Sequence, residues 1–366
     1  MIDENGSFRD PAGKIYYEDD RVFRKLTALG TERFLELQNI NIISKSIEKG
    51  FLVETKVIKN QNKNDENKNE LILEHKKIPY ISYPYEWSFS QLKDAAIFHL
   101  DFHLFLLKNN ATLIDASAYN IQFIGSKLKF IDVLSVQKYN EGEFWVGHKQ
   151  FCENFLNPLI LKSKKGIKFN NWFKGNLEGI ETRELNNLLG VFDKFSYNIF
   201  VHIYLLNKFD EKYKSKKSLK PISQTKKQFS KKSFVALLSQ LRKFILKLKD
   251  YKNVTTWDDY SINNTYSDLD KIQKKDCIKE FCKKNTFDLI ADLGCNNGEY
   301  SILSLNNGCK KVVGFDFDIN AIDEAYKKSK VENFDFLPLH FDASNPSSNI
   351  GWFQKERKGV IEKANF

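Results

Sequence analysis

The chain has 366 residues, of which 42% are hydrophobic and 28% are charged, so it has material for sizeable cores and is too apolar for a disordered protein. Lysine and arginine exceed aspartate and glutamate by 57 to 47, a formal net charge of +10. The five cysteines include no C-x-x-C pair and no zinc-ligand spacing, which argues against a disulfide framework and against a structural zinc.

The first residues, MIDENGSFRD, are acidic and polar and lack the apolar stretch of a signal peptide. The longest apolar-leaning window, residues 195–209, is interrupted by polar residues such as Asn198 and His202, so it predicts a buried helix rather than a membrane span. We therefore expect a soluble cytoplasmic protein without a membrane span; its oligomeric state is left open.

The first region, residues 1–207, mixes short strand-like runs with helical ones, and Phe89 to Leu107 is its longest predicted helix. A run without any apolar residue, 59–70, predicts a disordered hairpin loop. Residues 208–232 are dense in lysine and form a basic linker. No aromatic stacking pattern accompanies that charge, so binding to nucleic acid is not favoured, and a contact with an acidic partner is the weaker alternative.

An amphipathic helix is predicted after the linker, with its apolar positions at three- and four-residue steps. They are Phe234, Leu237, Leu238, Leu241, Ile245 and Leu248. We expect this helix to pack on the domain that follows it, rather than on a membrane.

The third region alternates short apolar runs with helical segments of about ten residues, which is typical of a parallel sheet with crossover helices. Predicted helices cover 268–284, 299–308 and 319–330, and predicted strands cover 287–294, 310–318 and 334–342. The fold class is therefore α/β in this part of the chain.

A glycine-rich turn joins the first of these strands to its helix. Asp292, Gly294, Asn296 and Gly298 lie at alternate positions there. Glycines permit tight turns and close approach of a ligand, and asparagine tolerates a positive φ better than most other residues. A dinucleotide site would have G-x-G-x-x-G. Here the spacing is G-x-x-x-G, and the preceding carboxylate would repel a pyrophosphate but attract a cationic group.

Acidic residues also end the second and third strands. Asp316 stands where a carboxylate can accept both ribose hydroxyls of a nucleoside, and Asp342 stands where one can accept from an adenine amino group. Because the carboxyl ends of parallel strands lie on one edge of the sheet, we expect Asp292, Asp316 and Asp342 to share that edge.

This combination resembles the class I S-adenosylmethionine-dependent methyltransferases, whose first motif is D/E-x-G-x-G-x-G. The resemblance implies a Rossmann-like doubly wound sheet and the cofactor S-adenosyl-L-methionine. It also implies that Gly294 faces the methionine part, Asp316 the ribose and Asp342 the adenine. Asn296 replaces the middle glycine of the motif. The methyl acceptor and any catalytic base remain unidentified.

The resemblance further implies a sheet of seven strands, of which only three are predicted before the end of the given sequence. We therefore expect a methyltransferase domain, residues 233–366, that is incomplete after its third strand, with the first strand as an exposed edge. On this expectation the isolated chain has weak methyltransferase activity or none.

A second set of candidate residues lies in the first region. Asp115 and Asn120 occupy a loop, a predicted β-hairpin follows, and Asp132 ends it. This pattern resembles the catalytic and metal-binding loops of kinase-like phosphotransferases, particularly the aminoglycoside type, and implies an α+β kinase-like module over residues 1–207. In that family the first Asp handles the acceptor hydroxyl, and the Asn and second Asp hold magnesium. Capping of a turn is the alternative.

The segments PYEWSF, DASAYN and TWDDYS also resemble a family of bacterial two-part methyltransferases related to nodulation-type proteins. The sequence thus favours an S-adenosylmethionine-dependent methyltransferase with an unidentified acceptor. A kinase-like phosphotransferase and a non-catalytic nucleoside-binding module are the alternatives.

Overall fold

The computed structural model describes residues 2–8, 10–58, 71–205, 230–251 and 267–364. The predicted loop at 59–70, most of the predicted linker at 208–232 and the segment TWDDYS at 256–261 lie outside these residues. Within the described part of the chain, no helix combines the length and the apolar composition that a bilayer crossing needs.

The strands and helices of the described residues give a mixed α/β architecture with several small sheets. The strands are β1 (Ile2–Asp3), β2 (Gly13–Glu18), β3 (Arg21–Leu26), β4 (Thr55–Ile58), β5 (Ile72–His75), β6 (Ala111–Leu113), β7 (Ile121–Ile124), β8 (Lys127–Phe130), β9 (Val136–Lys138), β10 (Ile290–Leu293), β11 (Val312–Asp316) and β12 (Phe336–His340). The α-helices are α1 (Ala28–Asn39), α2 (Ile42–Glu48), α3 (Phe89–Lys108), α4 (His148–Phe151), α5 (Asn157–Lys165), α6 (Asn170–Gly175), α7 (Thr182–Leu188), α8 (Tyr197–Ile199), α9 (Lys231–Lys247), α10 (Asp268–Lys284), α11 (Glu299–Leu305), α12 (Ile319–Glu332) and α13 (Val360–Ala364). Two π-helical segments follow α4 and α8, at Cys152–Leu156 and Phe200–Leu205.

An antiparallel sheet of five strands, in the order β1-β2-β3-β5-β4, forms the first part of the chain. Strands β2 and β3 are joined by Asp19 and Asp20, which both have positive φ, 47° and 64°. Two consecutive residues of this conformation give a tight turn whose twist matches that of the strands it joins. Further along, β7 and β8 pair as a hairpin, so the predicted hairpin between Asn120 and Asp132 is confirmed.

The long helix α3 begins with a reciprocal capping box. The Ser88 Oγ accepts the Gln91 N–H at 3.3 Å, and the Gln91 Oε1 accepts the Ser88 N–H at 2.8 Å, which satisfies two backbone donors that the helix itself leaves unpaired. The predicted helix over Phe89 to Leu107 is therefore confirmed, and it extends to Lys108.

Helix α9 buries Phe234, Leu238, Leu241 and Ile245, and Leu237 is half-buried, but the predicted partner was wrong. It packs against α3, where Arg242 forms a two-pronged ion pair with Asp101 at 2.5 and 3.0 Å. The Lys93 ammonium donates to the carbonyls of Leu246 and Leu248 at 2.9 and 2.8 Å. Carbonyls at a helix end attract a cation, so α3 holds both the side and the end of α9.

The last part of the described chain contains a parallel sheet in the order β10-β11-β12. Ile290 pairs with Val312 and Val312 pairs with Phe336, so apolar residues lie side by side. Helices α11 and α12 connect the strands, and the buried Ile302 and Ile322 pack against the same face as Val312 and Phe336. The predicted alternation of strands and helices is confirmed.

The opposite face of this sheet packs on the first part of the chain. Val313, Phe315, Leu337 and Leu339 belong to the same hydrophobic core as the residues around α3. The Phe315 ring lies edge-on to that of Tyr80, with centroids 5.8 Å apart. Since side chains alternate between the faces of a strand, β11 and β12 each contribute to two cores.

Polar contacts fix the same interface. The Ser90 N–H donates to the Asp323 carboxylate at 2.8 Å, the Gln91 amide donates to the Pro338 carbonyl at 3.0 Å, and the Tyr326 hydroxyl donates to Asp94 at 2.8 Å. The sheet and α3 are therefore held in one orientation.

Strand β10 lies at the edge of the sheet in the described part of the chain, as predicted. The strand begins with the half-buried Ile290 and ends with Leu293, which is 62% exposed. An apolar strand with one paired side is open to further pairing.

Candidate functional site

The glycine-rich turn runs from the end of β10 to the start of α11. Gly294, Asn296 and Gly298 have φ values of 78°, 46° and 82°, all in the left-handed region. Glycine adopts this region freely and asparagine does so more readily than most residues. The replacement of the middle glycine by Asn296 is therefore compatible with the turn.

Backbone hydrogen bonds hold this turn on the neighbouring strand. The Phe315 carbonyl accepts the N–H groups of Gly294 and Cys295 at 2.8 and 3.1 Å. The Asn296 N–H donates to Asp316 Oδ2 at 2.8 Å. The structure thus brings the predicted turn and the predicted ribose-binding carboxylate together.

The two glycines of the turn have different surroundings. A Cβ at Gly298 would lie 2.4 Å from the Phe336 ring, whereas a Cβ at Gly294 would have no heavy atom within 4 Å. Gly298 is needed for close packing of the turn on β12. Gly294 faces open space, which leaves room for a ligand directly over the turn.

Asp316 is positioned by main-chain donors on both carboxylate oxygens. Besides the bond from Asn296, its Oδ1 accepts the Asp318 N–H at 2.8 Å. A carboxylate oxygen has two lone pairs, so each oxygen retains the capacity for a further donor. An orientation fixed in this way suits the recognition of a pair of hydroxyl groups.

Asp292 lies on β10, two residues before Gly294, and is half-buried. Its Oδ2 accepts the Ser301 hydroxyl at 2.6 Å. Burial raises the pKa of Asp292, against the opposing effect of the Ser301 bond. A carboxylate whose ionised form is disfavoured by burial gains from a cationic group placed beside it.

Asp342 follows the end of β12. Its Oδ1 accepts the Ser344 hydroxyl at 2.6 Å and the Ser344 N–H at 2.9 Å, and these hydrogen bonds lower its pKa. The Phe341 N–H donates to the Asp316 carbonyl at 2.8 Å. That bond ties the ends of β11 and β12 together, so the three predicted acids end neighbouring strands on one sheet edge.

In the first part of the chain, Asp132 is engaged by a buried cation. The Arg24 guanidinium, 4% exposed, lies 2.5 Å from Asp132 Oδ1 and also pairs with Asp10. Burial disfavours the Asp132 carboxylate, but the Arg24 charge and the bonds from Ser135 and Leu134 outweigh it and lower its pKa.

The other two residues of the predicted trio lie close to Asp132. The Asn120 amide donates to the Ser135 Oγ at 3.4 Å, and that hydroxyl donates to Asp132 Oδ2 at 2.5 Å. Asp115 accepts the Ser117 N–H at 2.8 Å, and burial raises its pKa. The structure therefore brings the trio into one region, where Arg24 pairs with Asp132.

Two contributors to these sites were missed from the sequence. Ser301 holds Asp292 and follows it by nine residues, within the first turn of α11, so strand-then-helix spacing was a usable signal. Arg24 lies 108 residues from Asp132, and nothing in the local pattern connects them.

A curated protein supplies the family. The chain is 38% identical over 360 residues to the nodulation protein NoeA of Rhizobium meliloti (strain 1021), covering 98% of this chain and 75% of that protein. The chain belongs to the NoeA family. No family model matches it.

Two solved structures were also found by comparison. The candidate RNA methyltransferase PH1948 from Pyrococcus horikoshii is 21% identical, with 32% of this chain and 59% of that chain covered and a TM-score of 0.21. Vaccinia related kinase 3 is 14% identical, with 69% and 86% covered and a TM-score of 0.31. TM-scores of this size do not define the fold of the NoeA-family chain.

Proposed function

We propose that this NoeA-family chain binds S-adenosyl-L-methionine at the carboxyl edge of its parallel sheet and takes part in methyl transfer to an acceptor. One observation carries the proposal. The left-handed turn at Gly294 and the carboxylate of Asp316 are joined by a hydrogen bond from the Asn296 N–H, 2.8 Å long, and open space lies over the turn.

Each part of the site suits a different part of the cofactor. Asp316, held by two main-chain donors, accepts the ribose hydroxyls. Asp292, with a pKa raised by burial, stabilises a positively charged group over the turn. Asp342 lies at the next strand end, where it accepts from the adenine amino group.

The bound cofactor supplies a methyl group on a positively charged sulfur, which is already activated toward a nucleophile. The protein's main contribution is to hold the two reactants in line, and well-oriented intramolecular reactions gain about 7–11 kcal/mol in this way. A base is needed only where the acceptor has to lose a proton.

Phosphotransfer by the first part of the chain is the less supported alternative. Its magnesium ligand would be Asp132, whose carboxylate already binds the Arg24 guanidinium at 2.5 Å. A cation in that place opposes the binding of Mg²⁺, which requires oxygen ligands and is repelled by positive charge.

The test is a calorimetric titration of the purified chain with S-adenosylhomocysteine. We expect saturable binding by the wild type and a loss of about 10- to 100-fold in Asp316→Ala, because hydrogen bonds to a charged acceptor are worth about 1.5–3 kcal/mol. Asp288→Ala is the matched control, since Asp288 precedes β10 and pairs with Lys310 at 2.7 Å away from the turn.

Two results would contradict the proposal. If the wild-type protein binds no S-adenosylhomocysteine, the whole proposal is wrong. Equal affinities of Asp316→Ala and Asp288→Ala, with unchanged circular dichroism, would show that the ligand binds elsewhere. Titration with ATP and Mg²⁺ in parallel tests the phosphotransferase alternative.

A further inference from the structure

Three metal-ligating side chains converge in a part of the molecule that the proposed function does not use. His148 begins α4, Cys152 begins the π-helical segment after it, and His202 lies in the second π-helical segment. Among the described residues, their ligand atoms form a group in which every pair lies within 4.8 Å.

The distances are close to those of a small metal centre. His148 Nε2 lies 2.9 Å from His202 Nδ1 and 3.7 Å from Cys152 Sγ. In a tetrahedral zinc site, bonds of about 2.0–2.1 Å to nitrogen and about 2.3 Å to sulfur separate the donor atoms by about 3.3–3.6 Å. The observed His148–His202 distance is shorter than this spacing and the His148–Cys152 distance is longer, so the side chains have to shift for the three donors to bind one ion.

The backbone supports the same interpretation. Both Cys152 and His202 lie in π-helical segments, which are rare and occur frequently at functional sites because the widened turn redirects side chains. His148 and Cys152 are four residues apart, so they lie on one face of their helix. His202 approaches that face from a segment 54 residues away in sequence.

The three side chains lie in a largely buried environment, where an ion would be held by protein ligands rather than by water. Cys152 is fully buried and His202 is 1% exposed, while His148 is half-buried. The Trp145 ring packs against His148 with centroids 5.4 Å apart.

We propose that His148, Cys152 and His202 form a binding site for Zn²⁺. One thiolate and two imidazoles are a donor set that suits a borderline-soft ion rather than Mg²⁺ or Ca²⁺. On binding, the Cys152 thiol releases its proton to solvent and its sulfur bonds to the ion. Three protein ligands leave a fourth position for water or a small exogenous donor, the arrangement of open zinc sites.

This site also revises what the cysteine spacing predicted. The sequence lacks the paired cysteines of a zinc finger, but a Cys-His₂ site needs only one cysteine. The H-x₃-C pair is visible in the sequence, whereas the contribution of His202 depends on the fold.

The experiment uses the full chain, freed of metal with a chelator and titrated with Co²⁺ as a spectroscopic substitute for Zn²⁺. We expect one ion per chain, with a sulfur-to-cobalt charge-transfer absorption that Zn²⁺ displaces. Cys152→Ser should lose that absorption and weaken binding by more than about 100-fold, since even partners outside the ligand set change metal affinity about 10- to 100-fold. Cys277→Ser, which removes an exposed thiol, is the control.

The proposal is overturned if wild-type protein binds less than one ion per chain or shows no charge-transfer absorption, or if Cys152→Ser retains it. Should Cys152→Ser fail to fold, His148→Gln replaces it, because His148 is only half-buried. There the absorption is expected to persist with altered ligand-field bands, and an unaltered spectrum contradicts the proposal. S-adenosylhomocysteine binding is measured on the same samples. We expect it to be unchanged in these variants, so the metal site and the proposed cofactor site are tested independently.

Discussion

Two candidate aspartates of this chain, Asp316 and Asp132, have the same side chain but different partners: one accepts from neutral donors, and the other pairs with a buried cation. Asp316, at the edge of the parallel sheet, accepts two main-chain N–H groups at 2.8 Å. Asp132, in the first part of the chain, faces the Arg24 guanidinium at 2.5 Å. Neutral donors orient a carboxylate and leave its charge available to a ligand, whereas a buried guanidinium neutralises it.

The difference shows how to separate a binding carboxylate from a structural one. Position in a motif does not decide it, because both residues occupy motif positions. What decides it is whether the charge of the carboxylate is already compensated inside the protein. On this criterion Asp316 suits the ligand site that we propose, and Asp132 suits the framework.

The largest expected effect tests the framework side of this comparison. Arg24→Met should lower the free energy of unfolding by about 3–5 kcal/mol, because it leaves the carboxylates of Asp132 and Asp10 without their buried cation. Urea denaturation followed by circular dichroism measures it.

The matched control is Arg21→Met on the same strand. Arg21 pairs with Glu74 at 2.7 Å but is 54% exposed, so solvent replaces much of what the pair provides and the loss should be far smaller. Equal losses in the two variants would show that Arg24 is not a buried structural cation.

A smaller effect tests the turn over which the cofactor is proposed to bind. Gly294→Ala should destabilise the protein by about 1–2 kcal/mol, because its φ of 78° is strained for any residue with a Cβ. Gly175→Ala is the control: a Cβ would meet no atom within 4 Å at either glycine, but only Gly294 has a positive φ. Thermal unfolding measures the stability of the two variants. If Gly294→Ala is as stable as Gly175→Ala, the alanine is not strained at position 294.

The smallest effect concerns the pH dependence of Asp292 and Asp132. Since burial raises the folded-state pKa of Asp292 above 3.8, its charged form destabilises the fold at neutral pH, and Asp292→Asn should gain a little stability at pH 7. That gain should shrink as the pH falls through the raised pKa toward 3.8.

Asp132 has the opposite sign. Its pKa is lowered below 3.8, so its contribution to stability is complete above that value and is lost as the pH falls further. Asp132→Asn should therefore lose stability at pH 7, and the loss should diminish in acid. Unfolding free energies measured from pH 7 down to about pH 3 give both slopes; slopes of the same sign would contradict the comparison.

The sequence predicted local structure well where local chemistry determines it. Strands β10, β11 and β12 are short apolar runs, each followed by a polar or glycine-containing turn, and helix α10 was predicted with both ends as observed, at Asp268 and Lys284. Ser267 caps that helix and Asp270 returns the bond, a pattern that the sequence shows directly.

Contacts between distant segments were not predictable in the same way. The apolar stripe of α9 shows which face is buried, but α3, rather than the parallel sheet, covers it. Likewise the motif around Asp132 could be located, while the cation that neutralises it is 108 residues away. A periodic pattern describes one segment, and the identity of its partner depends on how all the segments pack.

The interface beneath the parallel sheet has a consequence for how the chain acquires its structure during synthesis. Tyr80 and Gln91, which meet β11 and β12 from below, are translated more than 200 residues before those strands. The supporting surface therefore leaves the ribosome first, and we expect the late strands to assemble on it. We expect amide hydrogens of α3 and β12 to exchange together, as one cooperative unit.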